Sequence, residues 1–150
     1  MVFGASSSSS KGMTSIDKRN DGNNNFVAER NLSALIVDDD LIVRRIHTTL
    51  LTKLGVKTQG VENGKKAVDL FQSGDFFDLV IMDMEMPVMD GPEATKQLRA
   101  MGIGSMIVGV TSRNLESEKQ AFMGAGLNDC YVKPLTVDDM IAILNKLNNN

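Results

Sequence analysis

Leu79-Val80-Ile81-Met82-Asp83 is the stretch that decides the fold. Four apolar residues run without a break and end in a carboxylate. A strand with one wet face alternates apolar and polar residues, so this one reads as buried on both faces. Ala34-Leu35-Ile36-Val37 has the same form and also ends in acids, Asp38-Asp39-Asp40. Such strands need a helix layer above and below them. The intervening segments supply the helices. Val43, Ile46, Leu50 and Leu54 recur at helical spacing ahead of Gly55, and Ala67, Val68 and Phe71 mark a second helix beyond a break at Asn63-Gly64. Gly91-Pro92 open a third, with Ala94, Leu98 and Met101 as its apolar face. A strand over residues 106–110 and a weaker helix over 116–125 follow, then a short strand at Cys130-Tyr131-Val132. Thr136 begins the last helix, with Asp139 placed for a capping box and Val137, Met140, Ile141, Leu144 and Leu147 as its stripe.

Strand and helix thus alternate five times, which defines an α/β protein with a parallel sheet covered on both faces. The first and third strands are the most continuously apolar, so they belong at the centre, side by side. The mixed residues 56–61 suit an edge. These placements fit the flavodoxin-like, doubly wound (βα)5 arrangement, strand order 2-1-3-4-5. Residues 32–150 form this one domain, with no second domain expected after it. Residues 1–31 differ: serine fills positions 6 to 10 and asparagine 23 to 25, apolar residues are few, and a disordered tail is expected.

Composition narrows the function. A net charge of −3 over 150 residues, with no basic tract, argues against a nucleic-acid partner. No run approaches the roughly 20 apolar residues of a membrane span. The N-terminus lacks the pattern of a secretory signal, Val2 does not match a myristoylation site, and one cysteine cannot form an internal disulfide. The expectation is a protein of cytoplasm and nucleus.

In such sheets ligands bind beyond the carboxyl ends of the strands, at the switch point between strands one and three. There the sequence delivers Asp38, Asp39 and Asp40 from strand one and Asp83 from strand three. Thr111 and Ser112 come from strand four and Lys133 from strand five. Crowded carboxylates repel one another unless a cation compensates, and an all-oxygen set suits magnesium, or manganese, better than zinc. Lys133 adds a point charge for an anion, and a hydroxyl adds a hydrogen bond. Together these groups make a phosphoryl-transfer site. Asp40 reads as a helix cap. His47, the only histidine, is expected on the solvent face of helix one beside Arg44 and Arg45, a basic pair that could attract an acidic surface. Met82, Met84, Met86 and Met89 are expected to pack, not to bind copper. Cys130 is expected to be a buried apolar residue.

LIVDDD at 35–40, VIMDMEMPVMDG at 80–91, VGVTS at 108–112 and YVKPL at 131–135 resemble the four signatures of response-regulator receiver domains. The likeness runs from Ser33 to Leu147. Together with the serine- and asparagine-rich tail and SMIVGVTS ahead of AFMGAGLNDC, it is similar to the type-C group of stand-alone plant regulators. The resemblance implies that Asp83 is the phosphoacceptor, that Asp39, Asp83 and the backbone carbonyl of Glu85 bind the metal, and that Asp38 acts mainly through water. It implies that Lys133 pairs with the phosphate, that Thr111 swings toward it, and that Lys133-Pro134 is cis. The donor would be a histidine-phosphotransfer protein docking on helix one and the site loops. A hybrid histidine kinase would stand upstream, in cytokinin-type signalling.

Cys130 stands where many receivers carry an aromatic that turns with the hydroxyl, and Tyr131, one residue on, should face the other way. The chemistry is expected intact and the conformational signal weaker or different. The resemblance implies that the Glu85 side chain lies near the incoming water, with an effect on acyl-phosphate lifetime of either sign. Competing readings are a phosphohistidine phosphatase or phosphate sink, a phosphorylation-independent binding module, which would need a degraded acid site, and a haloacid-dehalogenase-type phosphatase, for which the later signatures have no place. Cys130→Phe should leave phosphate uptake intact and alter both dephosphorylation kinetics and the phosphorylation-dependent affinity for a partner; unchanged affinity counts against this.

Overall fold

The computed structural model describes residues 31–149, where five strands and five helices alternate strictly. They are β1 (Ser33–Val37), α1 (Leu41–Lys53), β2 (Lys57–Val61), α2 (Gly64–Gln72), β3 (Leu79–Asp83), α3 (Gly91–Ala100), β4 (Met106–Thr111), α4 (Glu116–Gly124), β5 (Asp129–Val132) and α5 (Val137–Asn148). All pairings are parallel, in the order β2-β1-β3-β4-β5. The expected α/β architecture is therefore observed, with β1 and β3 adjacent and β2 at an edge. The expected tail, Asn31 apart, lies outside the described residues.

The pleat divides each strand between two cores. Ala34, Ile36, Leu79, Ile81, Val108 and Val110 face Leu51 and Leu54 near α1 and Met140, Ile143 and Leu144 of α5. Leu35, Val37, Val80, Met82 and Ile107 face α2, α3 and α4 through Ala67, Val68, Phe71, Ala94, Leu98 and Phe122. Full burial on both sides explains why the central strands carry unbroken apolar runs.

Helix ends follow the local sequence. Asp40 caps α1, accepting from the N–H groups of Ile42 and Val43, and Thr136 and Asp139 form the expected capping box on α5. The break at Asn63-Gly64 is where the chain leaves β2 and enters α2. Asn63 caps α2, accepting from Lys66 N–H, and Gly64 is its first residue. Apolar stripes were less well placed by spacing alone. In α1 the fully buried positions are His47 and Leu51, while Ile46 is exposed and Val43 and Leu50 are half-buried. Met101 and Val137 are likewise exposed, and Ile143 takes a core place in α5. In α1 the face that meets the core runs through His47, Leu51 and Leu54, and Ile46, about 100° round the helix from His47, falls outside it.

Two glycines set how closely the layers approach. A Cβ on Gly109 would come within 2.6 Å of the Phe122 ring, so glycine there gives α4 its seat on the sheet. A Cβ on Gly91 would meet the Asp83 carbonyl at 2.2 Å and Phe122 Cζ at 2.7 Å. The start of α3 thus lies directly against the end of β3. Gly91→Ala should destabilise the protein by about 2 kcal/mol, as overpacking does, measured by urea unfolding; a loss under ~0.5 kcal/mol would mean that the backbone there yields freely.

Candidate functional site

The register assembles the site. Val37 on β1 pairs with Met82 on β3, so Asp38 and Asp83 leave neighbouring strands at the same level. Thr111 on β4 pairs with Val132 on β5, and Lys133 follows at once. Asp38, Asp83 and Thr111 are all buried; Asp39 and Glu85 are exposed. Asp39, Asp40, Asp83, Glu85, Thr111, Ser112 and Lys133 line a cleft of about 290 Å³.

Lys133 is the hub. Its ammonium lies 3.0 Å from Asp83 Oδ1 and 3.2 Å from Asp38 Oδ2. Asp38 is held further by Asp40 N–H, which donates to its Oδ1 at 2.9 Å, and Arg44 Nη1 donates to its backbone carbonyl at 2.7 Å. Asp83 Oδ2 is buried with no hydrogen-bond partner among the described residues. Carboxylate oxygens of Asp38, Asp39 and Asp83 lie within 4.8 Å of one another. A hard divalent cation fits this arrangement, because it would satisfy the bare oxygen and the surplus negative charge together.

Electrostatics agree. Burial, and then repulsion from Asp38, push the Asp83 carboxyl up to about 7, against the pull of Lys133 and with a further push from Asp39. Burial opposes the Lys133 charge, but the hydrogen bond and charge of Asp83, then Asp38, outweigh it and raise the ammonium above its ordinary value.

Of the expected site residues, the structure brings together Asp38, Asp39, Asp83, Glu85, Thr111 and Lys133. Asp40 both lines the cleft and caps α1. Lys133-Pro134 is cis. Cys130 stands apart on the α2–α4 side of the sheet, half-buried, while Tyr131 packs on the opposite core. Burial raises the Cys130 thiol above its usual range, so it carries no sign of reactivity. Met82 is core, and Met84, Met86 and Met89 pack against it.

Two residues depart from the sequence expectation. His47 does not face solvent: it is fully buried, and its Nε2 accepts from Leu135 N–H at 3.0 Å. Its helical neighbours offered no clue, because the partner is 88 positions away. Arg113, two residues past Thr111, carries no motif that marks it in the sequence. Its guanidinium lies 3.6 Å from Glu85 and pairs with Glu118 at the mouth of the cleft.

Comparison with known proteins agrees with this geometry. Residues 34–145 match the response regulator receiver domain family, and the chain belongs to that family, the receivers of two-component phosphorelays. It is 54% identical over 122 residues to two-component response regulator 24 of Arabidopsis thaliana, covering 81% of this chain and 88% of that one. The relative therefore holds little beyond a receiver, as expected of the stand-alone plant type. Among solved structures, the receiver domain of a Pseudomonas aeruginosa sensor histidine kinase, with a magnesium ion in its active-site cleft, superposes with a TM-score of 0.73 at 27% identity, covering 81% of this chain and 100% of that one. The receiver of the yeast regulator Ssk1, solved with the histidine phosphotransfer protein Ypd1, gives 0.72 at 26% identity, covering 78% and 88%. No helix among the described residues is long and apolar enough to cross a membrane.

Because the Asp83 carboxyl sits near 7 rather than 3.8, the metal-free native state holds a proton that the unfolded chain releases. Stability in chelator should therefore fall as pH rises from about 4 to about 7. Asp83→Asn should remove this slope and stabilise the metal-free protein at pH 8 by about 2 kcal/mol, part of the full shift at about 1.4 kcal/mol per pKa unit. Magnesium binding should weaken as pH falls through about 7. Urea melts across pH check the slope; a flat wild-type profile overturns it.

Proposed function

We propose that the protein accepts a phosphoryl group from a phosphohistidine carrier onto Asp83. The observation that carries this reading is the Lys133 ammonium 3.0 Å from one Asp83 oxygen while the other oxygen is buried and bare. One oxygen is thus held by charge, and the other is available as nucleophile or metal ligand. In the reaction a carboxylate oxygen of Asp83 attacks phosphorus, the P–N bond breaks, and the carrier's imidazole leaves with the bond pair and takes up a proton. The product is an acyl phosphate. Lys133 neutralises phosphoryl oxygens as they gain charge, and Thr111 offers a hydroxyl to another.

Asp39, Asp83 and the backbone carbonyl of Glu85 would hold a magnesium or manganese ion, with Asp38 acting through water. When bound, the ion supplies Lewis-acid neutralisation of the phosphoryl oxygens. The magnesium in the Pseudomonas receiver supports this assignment. The docking surface for a histidine-phosphotransfer protein is formed by α1 and the site loops, and on α1 Leu41, Ile42 and Ile46 stay exposed; the yeast complex supports that class of partner. A hybrid histidine kinase then acts upstream, and a cytokinin-type relay follows from the likeness to plant regulators. The domain reading, a receiver over residues 32–150 behind a tail, belongs to the same proposal.

A second reading draws support from Glu85. Its exposed carboxylate lines the cleft and can hydrogen-bond water beside the acyl phosphate. The protein would then act as a phosphohistidine phosphatase, or phosphate sink.

A time course separates the two. A radiolabelled histidine-phosphotransfer protein mixed with this chain and magnesium should lose label to the wild type and not to Asp83→Asn. Label that stays on the protein supports the signalling receiver, and prompt inorganic phosphate supports the sink. A carrier that keeps its label overturns phosphotransfer from that carrier.

A further inference from the structure

His47 is a fully buried polar side chain that the reaction as described does not use. Its Nε2 accepts the Leu135 N–H, so the lone pair is on Nε2 and the ring proton on Nδ1. That Nδ1 is buried with no hydrogen-bond partner among the described residues. Burial, outweighing the attraction of Asp38, lowers the imidazole's pKa and keeps the ring neutral, with Lys133 adding to the effect. An apolar residue here would avoid an orphaned N–H, whose cost is about 1–3 kcal/mol. The histidine's one polar contact is therefore the feature that distinguishes it from leucine in this core.

That contact lands on the turn that carries Lys133. The Lys133 N–H donates to Thr111 O at 2.9 Å, Pro134 has no N–H, and the next donor, Leu135 N–H, goes to His47. The turn is thus tied to the sheet on one side of Pro134 and to α1 on the other. Leu135 itself is buried in the α1–α5 core. Lys133 has a long flexible stem, and its reach to both carboxylates depends on where its backbone is held. The same helix, α1, carries Arg44, which grips the Asp38 carbonyl. One helix therefore fixes both the strand-one acid loop and the strand-five lysine turn.

We propose that His47 is a positioning residue for phosphoryl transfer, holding the Lys133–Leu135 turn through the Leu135 amide so that the ammonium stays on Asp83 and Asp38. The inference rests on Asp83 being the phosphoacceptor, and the test keeps the two apart.

His47→Leu and His47→Gln are compared with wild type, with acetyl phosphate and magnesium as phosphodonor. A glutamine amide oxygen can reach the place of Nε2 and accept the same N–H; leucine cannot. His47→Leu should fold with a melting temperature close to wild type, because it removes one orphaned N–H, Nδ1, and creates another at Leu135, yet phosphorylate about 10-fold more slowly, since misplacement by an ångström can cost up to ~100-fold. His47→Gln should recover to within about threefold. Hydrogen exchange at the Leu135 amide, read by NMR, should lose protection in the leucine variant and keep it in the glutamine variant.

A folded His47→Leu that phosphorylates at the wild-type rate overturns the positioning role and leaves the phosphoacceptor reading standing. A wild type that takes no phosphate overturns both. If His47→Leu does not fold, His47→Gln decides: a protected Leu135 amide with wild-type transfer supports the role, and a protected amide with slow transfer overturns it.

Discussion

Two carboxylates at the ends of neighbouring central strands, Asp38 and Asp83, share one ammonium. Both acids are almost completely buried. Charges of one sign in that setting repel each other and resist ionisation, and with all three acids ionised Lys133 alone leaves the set two charges short of balance once Asp39 is counted. The rest of the site follows from this deficit. It makes room for a cation, keeps one Asp83 oxygen bare, and requires that the lysine be held by its backbone rather than left to wander.

The fold meets those requirements by register. Parallel pairing brings the C-terminal ends of β1, β3, β4 and β5 to one rim, where an acid, an acid, a hydroxyl and an amine arrive in order. Gly91 lets α3 press against the Asp83 carbonyl, and Gly109 lets the Phe122 ring approach the sheet backbone. Packing below the rim thus leaves the loops above it little freedom. His47 and Arg44 extend this restraint from the other face, through α1.

Cys130 bears on how a change at the rim could travel. It shares a row with Met82 and Gly109 and faces the core that Phe122 fills. The bulky ring in this neighbourhood comes from α4 and not from β5.

Much was legible in the sequence. Unbroken apolar runs in residues 34–37 and 79–82 fixed the doubly covered sheet, because only burial on both faces removes the need for alternation. Acids, hydroxyl and lysine each stood at a strand end, so topology alone brought Asp38, Asp39, Asp83, Thr111 and Lys133 together. Caps such as Asp40 and Thr136 are local and were equally readable. What needed the tertiary structure was everything set by angle or by distant partners. The docking of α1 on the sheet buried His47 and exposed Ile46, which spacing could not foretell. The Arg113 contact with Glu85 spans two loops, and the Leu135 bond to His47 joins residues 88 apart. Periodicity records which residues share a helix face, but the face that meets the core is chosen only when the helix docks.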